Sequence, residues 1–259
     1  MENKYACDFS DFAKFVLLKY LFNDKNIGIV WYLTPDKNEP DYYHKYKVYF
    51  KNSQIFEYAL NIDKSIAMQF NLQCKKEPDK FYIGKLESMQ ILDSVTFFNN
   101  CIVGAYADGK DYRKIWLSKA LDKIKDCEVI YLDPDYGVPI DYRISVLKPL
   151  NKLSNPEKYA SIEEIKEFFL GKDVLILHNR YPVGVEHNKI HSHLFIRMRK
   201  EFPKRFFYII KLNPFMPRFF LIISRYNLIK RLKNFLIQNN ICKIEPFKGL
   251  FTLILPENF

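Results

Sequence analysis

The sequence predicts an α/β protein with a doubly wound, mostly parallel sheet and helices on both faces. Three observations predict it. Amphipathic helical stretches and short apolar strands alternate along most of the 259 residues. Two of the strands, CEVIYLD (127–133) and DVLILHN (173–179), are apolar at successive positions, as strands covered on both faces are. No internal repeat and no long Gly/Ser linker divides the chain, so 1–259 reads as one Rossmann-like domain with an irregular insertion around 37–90.

The elements follow in order. DFAKFVLLKYLF (11–22) is a helix, with Asp8 or Ser10 as its cap. IGIVWYLT (27–34) is a strand that ends at a Pro35-Asp36 turn. Residues 37–50 are polar and tyrosine-rich and read as loop and irregular hairpin; 53–70 read as a helix. FYIGKLES (81–88) and SVTFFNNCIV (94–103) read as strands, and 113–125 as an amphipathic helix. After the strand at 127–133, SIEEIKEFF (161–169) carries a capping box from Ser161 to Glu164 and stops at Gly171. The strand at 173–179 is followed by a helix over 187–201. Strands at 205–212 and 217–224, a helix at 227–240 and a strand at 249–256 complete the chain. The last two strands are expected to form an antiparallel edge.

Composition excludes several classes. The chain is 48% hydrophobic and 27% charged, enough for a buried core and too apolar for disorder. Five cysteines, an odd number with no CxxC spacing, argue against a disulfide framework and a cysteine zinc site. The N-terminus has no apolar signal region and no run approaches a membrane span, so a cytoplasmic protein is expected. Net charge is +10, and all of it sits between Arg197 and Lys233, where 11 basic residues face one acid. Such asymmetry points to a polyanion, and nucleic acid is the expected partner. The residues expected to carry it are Arg197, Arg199, Lys200, Lys204, Arg205, Lys230, Arg231 and Lys233.

Ligands of open α/β sheets bind at the carboxyl ends of strands. Three such ends are polar here: Thr34-Pro35-Asp36, Asp133-Pro134-Asp135-Tyr136-Gly137 and His178-Asn179-Arg180-Tyr181-Pro182. The second holds two carboxylates that can accept from an amine or bind Mg²⁺, and an aromatic ring that can stack on a base. His178 supplies an acid or base, and Arg180 a phosphate clamp. Asp11 and Lys14, three apart on a helix, are neighbours, with a surface ion pair as the plain structural alternative. His187, His191 and His193 form H-x3-H-x-H without an identifiable third metal ligand. Gly104 to Asp111 falls one residue short of a phosphate-binding loop and carries Asp111 where that loop needs Ser or Thr.

These residues, in this order, resemble the Rossmann-like methyltransferases that modify the N6 amine of adenine, particularly those acting on bacterial ribosomal RNA. Cys7 to Phe15 is similar to their G-N-x-x-D-x-x-K-H, with Asp11 and Lys14 at the matching positions. Asp133-Pro134-Asp135-Tyr136 matches D-P-P-Y at three of four positions, and Arg180-Tyr181-Pro182 is similar to W-Y-P. The chain also resembles a group of bacterial proteins with W-Y-L-T-P-D and L-D-P-D-N-G, here Trp31 to Asp36 and Leu132 to Gly137, with Tyr136 in place of the asparagine.

The resemblance implies S-adenosylmethionine as cofactor, near Asp11, Lys14, Thr34 and Asp36. It implies Asp133 and the Pro134 carbonyl as acceptors for the target amine, with Tyr136 stacked on the flipped base. Two positions depart from the pattern. No glycine follows the first strand until Gly84, and Asp135 replaces the second proline. The surplus acids raise an alternative, a metal-dependent nuclease or hydrolase with Mg²⁺ on Asp36, Asp133 and Asp135. A non-catalytic nucleic-acid-binding protein is the third expectation.

Overall fold

The computed structural model describes residues 6–35, 53–76, 82–102, 112–141, 146–182, 184–212, 218–239 and 250–256. Its strands are β1 (Ile27–Trp31), β2 (Val95–Phe98), β3 (Val129–Asp133), β4 (Ile140–Asp141), β5 (Val146–Leu147), β6 (Val174–Arg180), β7 (Phe206–Leu212), β8 (Arg218–Ser224) and β9 (Phe251–Ile254). Seven of them form one mixed, mostly parallel sheet in the order β2-β1-β3-β6-β8-β7-β9. The first four run parallel; β8 is antiparallel to both β6 and β7, and β9 to β7. β4 and β5 pair separately as a short antiparallel hairpin.

The helices are α1 (Phe9–Phe22), α2 (Ser53–Ile62), α3 (Lys64–Lys76), α4 (Ile83–Ser88), α5 (Tyr112–Lys123), α6 (Ile162–Phe169), α7 (His187–Glu201) and α8 (Ile229–Asn239). They cover both faces of the sheet, because alternate strand residues feed two separate cores. Ile27, Ile29, Trp31, Val129, Tyr131 and Ile176 pack with α1–α4 and α8. Val30, Ile130, Leu132, Leu175 and Leu177 pack with α5, α6 and α7. This arrangement is compatible with a Rossmann-like fold, and it explains why β1, β3 and most of β6 are buried at successive positions. α1 is buried almost all round. Phe12 and Phe15 meet Phe70 of α3 edge-on, and Tyr20 meets Phe235 of α8. A helix with an apolar face to the sheet and another to its neighbours has little polar surface to show.

Several boundaries differ from the expectation. α1 begins at Phe9, capped by Asp8, whose carboxylate accepts from the Asp11 amide at 3.0 Å. The expected helix over 53–70 is two helices. Asp63 separates them, accepting from the Ile66 amide at 2.9 Å and pairing with Lys19 at 2.9 Å. The expected strand over 81–88 is α4 instead. Its core residues, Ile83 and Leu86, recur every three positions rather than every two. Of the last two strands only β9 lies at an edge; β8 is inserted between β6 and β7. The glycine-rich stretch 104–111 and the tyrosine-rich stretch 37–50 lie outside the described residues. Among the described residues no helix is long and apolar enough to cross a membrane.

Candidate functional site

The strand order turns back at β1, with β2 on one side and β3 on the other, so the carboxyl ends of β1 and β3 flank the switch point at which open α/β sheets have their ligand crevice. Asp133, the last residue of β3, stands in register with Trp31 at the end of β1. Its carboxylate is buried and meets Lys14 of α1 at 2.9 Å. The same ammonium lies 2.7 Å from Asp11. It also sits over the Trp31 and Tyr131 rings, at 4.8 and 5.5 Å from their centroids. Asp11 uses its second oxygen to accept from the Cys7 amide at 2.7 Å. Asp11 and Lys14 are therefore neighbours, as their spacing predicts, but they form the buried end of a triad with Asp133 rather than a surface pair.

One cation between two buried carboxylates leaves the triad short of positive charge. Burial, helped by Asp8 and Asp133, raises the Asp11 carboxyl to about 6 despite Lys14. Burial also pushes Asp133 up, but the Lys14 charge and hydrogen bond outweigh it and hold that carboxyl below its ordinary value. For Lys14, burial favours the neutral amine, yet the two carboxylates win and keep the ammonium charged.

His178 is the next layer. Its Nδ1 lies 3.1 Å from the Pro134 carbonyl and 3.5 Å from Asp133, and its Nε2 lies 3.1 Å from an Arg218 Nη1. A guanidinium only donates, so Nε2 accepts and Nδ1–H donates to Pro134. Burial and the Arg218 charge lower the imidazole to about 3, so it is neutral at physiological pH. His178 thus orients other groups and holds no proton to give as an imidazolium.

The exposed rim of the site is built from the turn after β3. Asp135 and Tyr136 are half-buried. Lys158 approaches Asp135 at 3.4 Å and lies over the Tyr136 ring at 5.6 Å. Arg180, exposed at the end of β6, lies over the same ring at 5.9 Å, and Tyr159 packs beside it at 5.2 Å between centroids. Burial raises the Asp135 carboxyl, but the surrounding positive charges, Lys158 and Arg218 among them, hold it below its ordinary value. The turn is clamped from behind. Gly137 has φ +83, and a Cβ there would fall 2.0 Å from the Asn179 Oδ1, which accepts from the Val138 amide at 3.1 Å. The Tyr136 amide donates to the Lys158 carbonyl, and the Ala160 amide to the Gly137 carbonyl. Arg113 of α5 anchors that second segment: it grips Glu164 of α6 with two nitrogens and donates to the Pro156 and Tyr159 carbonyls.

The structure therefore brings Asp11, Lys14, Asp133, Pro134, Asp135, Tyr136, His178 and Arg180 to one end of the sheet. It also shows that Asp133 and the Pro134 carbonyl, the pair implied as amine acceptors, are already engaged by Lys14 and His178. Thr34, just beyond β1, is buried, and its hydroxyl has no hydrogen-bond partner among the described residues. Asp36 lies outside the described residues. Among the described residues no group of three His, Cys, Asp or Glu side chains is placed to hold a metal ion. His187 stacks on Tyr181 at 3.8 Å, and His191 takes the Tyr181 hydroxyl at 2.6 Å, so two members of the histidine motif serve packing around one tyrosine.

The basic segment is divided. α7 packs on one face of the sheet and α8 on the other. Arg197 pairs with Glu201 at 2.6 Å, and Arg231 with Asp24. Arg199, Lys200, Lys204, Arg205, Lys230 and Lys233 are exposed. The strand registers place these residues near the opposite end of the sheet from Asp133: α7 runs back from the end of β6 to the start of β7, and α8 follows the end of β8. Sequence reasoning gave no role to Arg218, Lys158, Arg113 or Asn179. Asn179 carried a signal in its polar strand end and Arg218 in the basic run; Lys158 and Arg113 carried none.

Neither the models of known protein families nor the curated proteins contain a match to this chain.

Proposed function

We propose that the crevice recognises an amine-bearing purine, as a nucleotide or an unpaired nucleic-acid base, on a methyltransferase-like scaffold. The observation that carries this reading is the half-buried Asp135–Tyr136 rim, with Arg180 and Lys158 against the tyrosine ring. An ionised carboxylate accepts from an exocyclic amine, an aromatic ring offers a stacking surface, and cations attract the phosphate that accompanies a base. In this reading Asp135 takes the acceptor role and Asp133 is a positioning residue, because Lys14 occupies it.

N6 methylation is the reaction that the motif order implies, and nucleic acid the substrate class that the charge implies. The described residues do not fit S-adenosylmethionine as expected. Asp11 and Lys14 spend their polar atoms on Cys7, Asp133 and each other, and of the expected residues that are described only Thr34 has a polar group left to a ligand. A hydrolytic metal on Asp133 is disfavoured for the same reason, since Lys14 already supplies the cation.

Calorimetric titration with adenosine tests the reading. Binding that weakens at least about tenfold in Asp135→Asn and in Tyr136→Ala, the loss of one charged hydrogen bond or one stack, supports it. Binding that both variants leave unchanged would sink it. A parallel titration with S-adenosylmethionine, and a methyl-transfer screen on adenine-containing RNA and DNA, decides the reaction.

A further inference from the structure

At the rim of the crevice β6 and β8 set two arginines directly opposite each other. Arg180 is the register partner of Arg218 in the antiparallel pair, two residues beyond His178 and its partner Phe220. Residues directly opposite on antiparallel strands share a face, with Cβ atoms about 5 Å apart, and like charges there repel. Among the described residues neither guanidinium has a carboxylate within ion-pair distance. Asp135 is the nearby acid: it pairs with Lys158, and the Arg218 charge reaches it from beyond ion-pair distance. Arg218 is held by its bond to the neutral His178 Nε2, which fixes one edge of its fork. Arg180 is exposed and leans over the Tyr136 ring.

From this geometry we infer that Arg180 and Arg218 form a phosphate site, and that the ligand of the crevice is a purine carrying a 5′-phosphate, free or in a nucleic-acid backbone. A tetrahedral dianion between two forks relieves the repulsion that the bare pair carries, and it fits the planar donors of arginine better than a point charge. The ring of the same ligand falls on Tyr136, which Arg180 already touches. The inference deepens the purine reading, but the phosphate half stands on the arginine pair alone.

The test uses the whole chain and three probes, inorganic phosphate, adenosine and 5′-AMP, titrated calorimetrically at matched ionic strength. The expected result is that 5′-AMP binds at least about tenfold tighter than adenosine, one charge-assisted contact converted to affinity. Arg180→Gln should abolish the advantage of 5′-AMP, bringing its affinity and that of adenosine for the same variant to a ratio near one. Arg218→Gln should do the same, with Arg218→Lys intermediate. Arg180 is exposed and makes no buried contact, so its variant keeps the test valid if Arg218→Gln fails to fold.

Equal affinities for 5′-AMP and adenosine overturn the phosphate site and leave the purine reading standing. Phosphate binding that depends on both arginines, with no contribution from the adenine ring or from Tyr136, upholds the site and overturns the purine reading. Phosphate binding that survives both glutamine variants overturns the inference and moves the anion to another basic surface. No binding of phosphate or 5′-AMP overturns it as well.

Discussion

Replacing Lys14 with methionine removes the charge at the centre of the buried triad and keeps nearly the same volume. Asp11 and Asp133 then remain, both buried and both formerly within 2.9 Å of the ammonium. Removing one partner of a buried ion pair costs about 3–5 kcal/mol, because the surviving charge is left in a medium that solvates it poorly. For a chain of this size that is a fall in Tm of roughly 6–20 °C, at 2–4 °C per kcal/mol.

The pH dependence carries the mechanism. In the wild type, Asp133 lies below its ordinary value of 3.8, so its contribution is present above that pH and disappears as the carboxyl is protonated. Asp11 has the opposite sign. Raised to about 6, it weakens the fold as pH rises from about 4 to about 6, and fully above that. Without Lys14 both carboxyls are raised, so the deficit of Lys14→Met should be largest near pH 8 and shrink toward pH 5. Adding Asp11→Asn and Asp133→Asn should recover most of the loss. Urea denaturation from pH 5 to 8 measures all of this. A deficit under about 1 kcal/mol, or one that is flat across that range, would refute the account of the triad.

Three further expectations concern the shell around the site. Gly137→Ala should lose roughly 2–5 kcal/mol from positive-φ strain and the clash with Asn179, so an unchanged denaturation midpoint would contradict the turn geometry. Arg113→Ala strands Glu164 and frees the Pro156 and Tyr159 carbonyls. A loss of about 3–5 kcal/mol is expected, and chemical denaturation that resembles a surface substitution would refute the clamp. His178, lowered to about 3, should show ring NMR shifts that do not titrate between pH 5 and 8. Because its folded value lies below the ordinary 6.5, its contribution to stability is present above that pH and lost as pH falls toward 3. A mid-range titration near 6.5 would contradict the assigned hydrogen bonds.

The order of helices and strands was largely legible, because burial on both faces leaves continuous apolar strands such as VIYLD and VLILH. Local propensity failed where one residue had two roles. Asp63 interrupts an otherwise helical run because its carboxylate caps the next helix. Tyr82 and Ile83 favour strands, yet Ile83 opens α4 because tertiary packing decides. At the site the sequence identified the acids and the tyrosine, since a polar turn after an apolar strand is a local signal. It did not reveal that Lys14 reaches Asp133 or that Arg218 faces Arg180, because strand order and register are not local. The basic run at 197–233 looked like one surface only because a sheet that separates α7 from α8 is invisible in one dimension.

The bond between Lys14 and Asp133 also bears on how the chain comes to fold. It joins positions 119 residues apart. As the protein is synthesised, α1 emerges before β3, already carrying a lysine that the native core accepts only with both of its acids. At about 5–20 residues per second, Asp133 follows roughly 6–24 s later. Until then α1 cannot complete its docking against the sheet, and β3, its other anchor, does not exist. α1 is therefore made well before β3 and secured only after it, so its phenylalanines stay without their native cover for that interval.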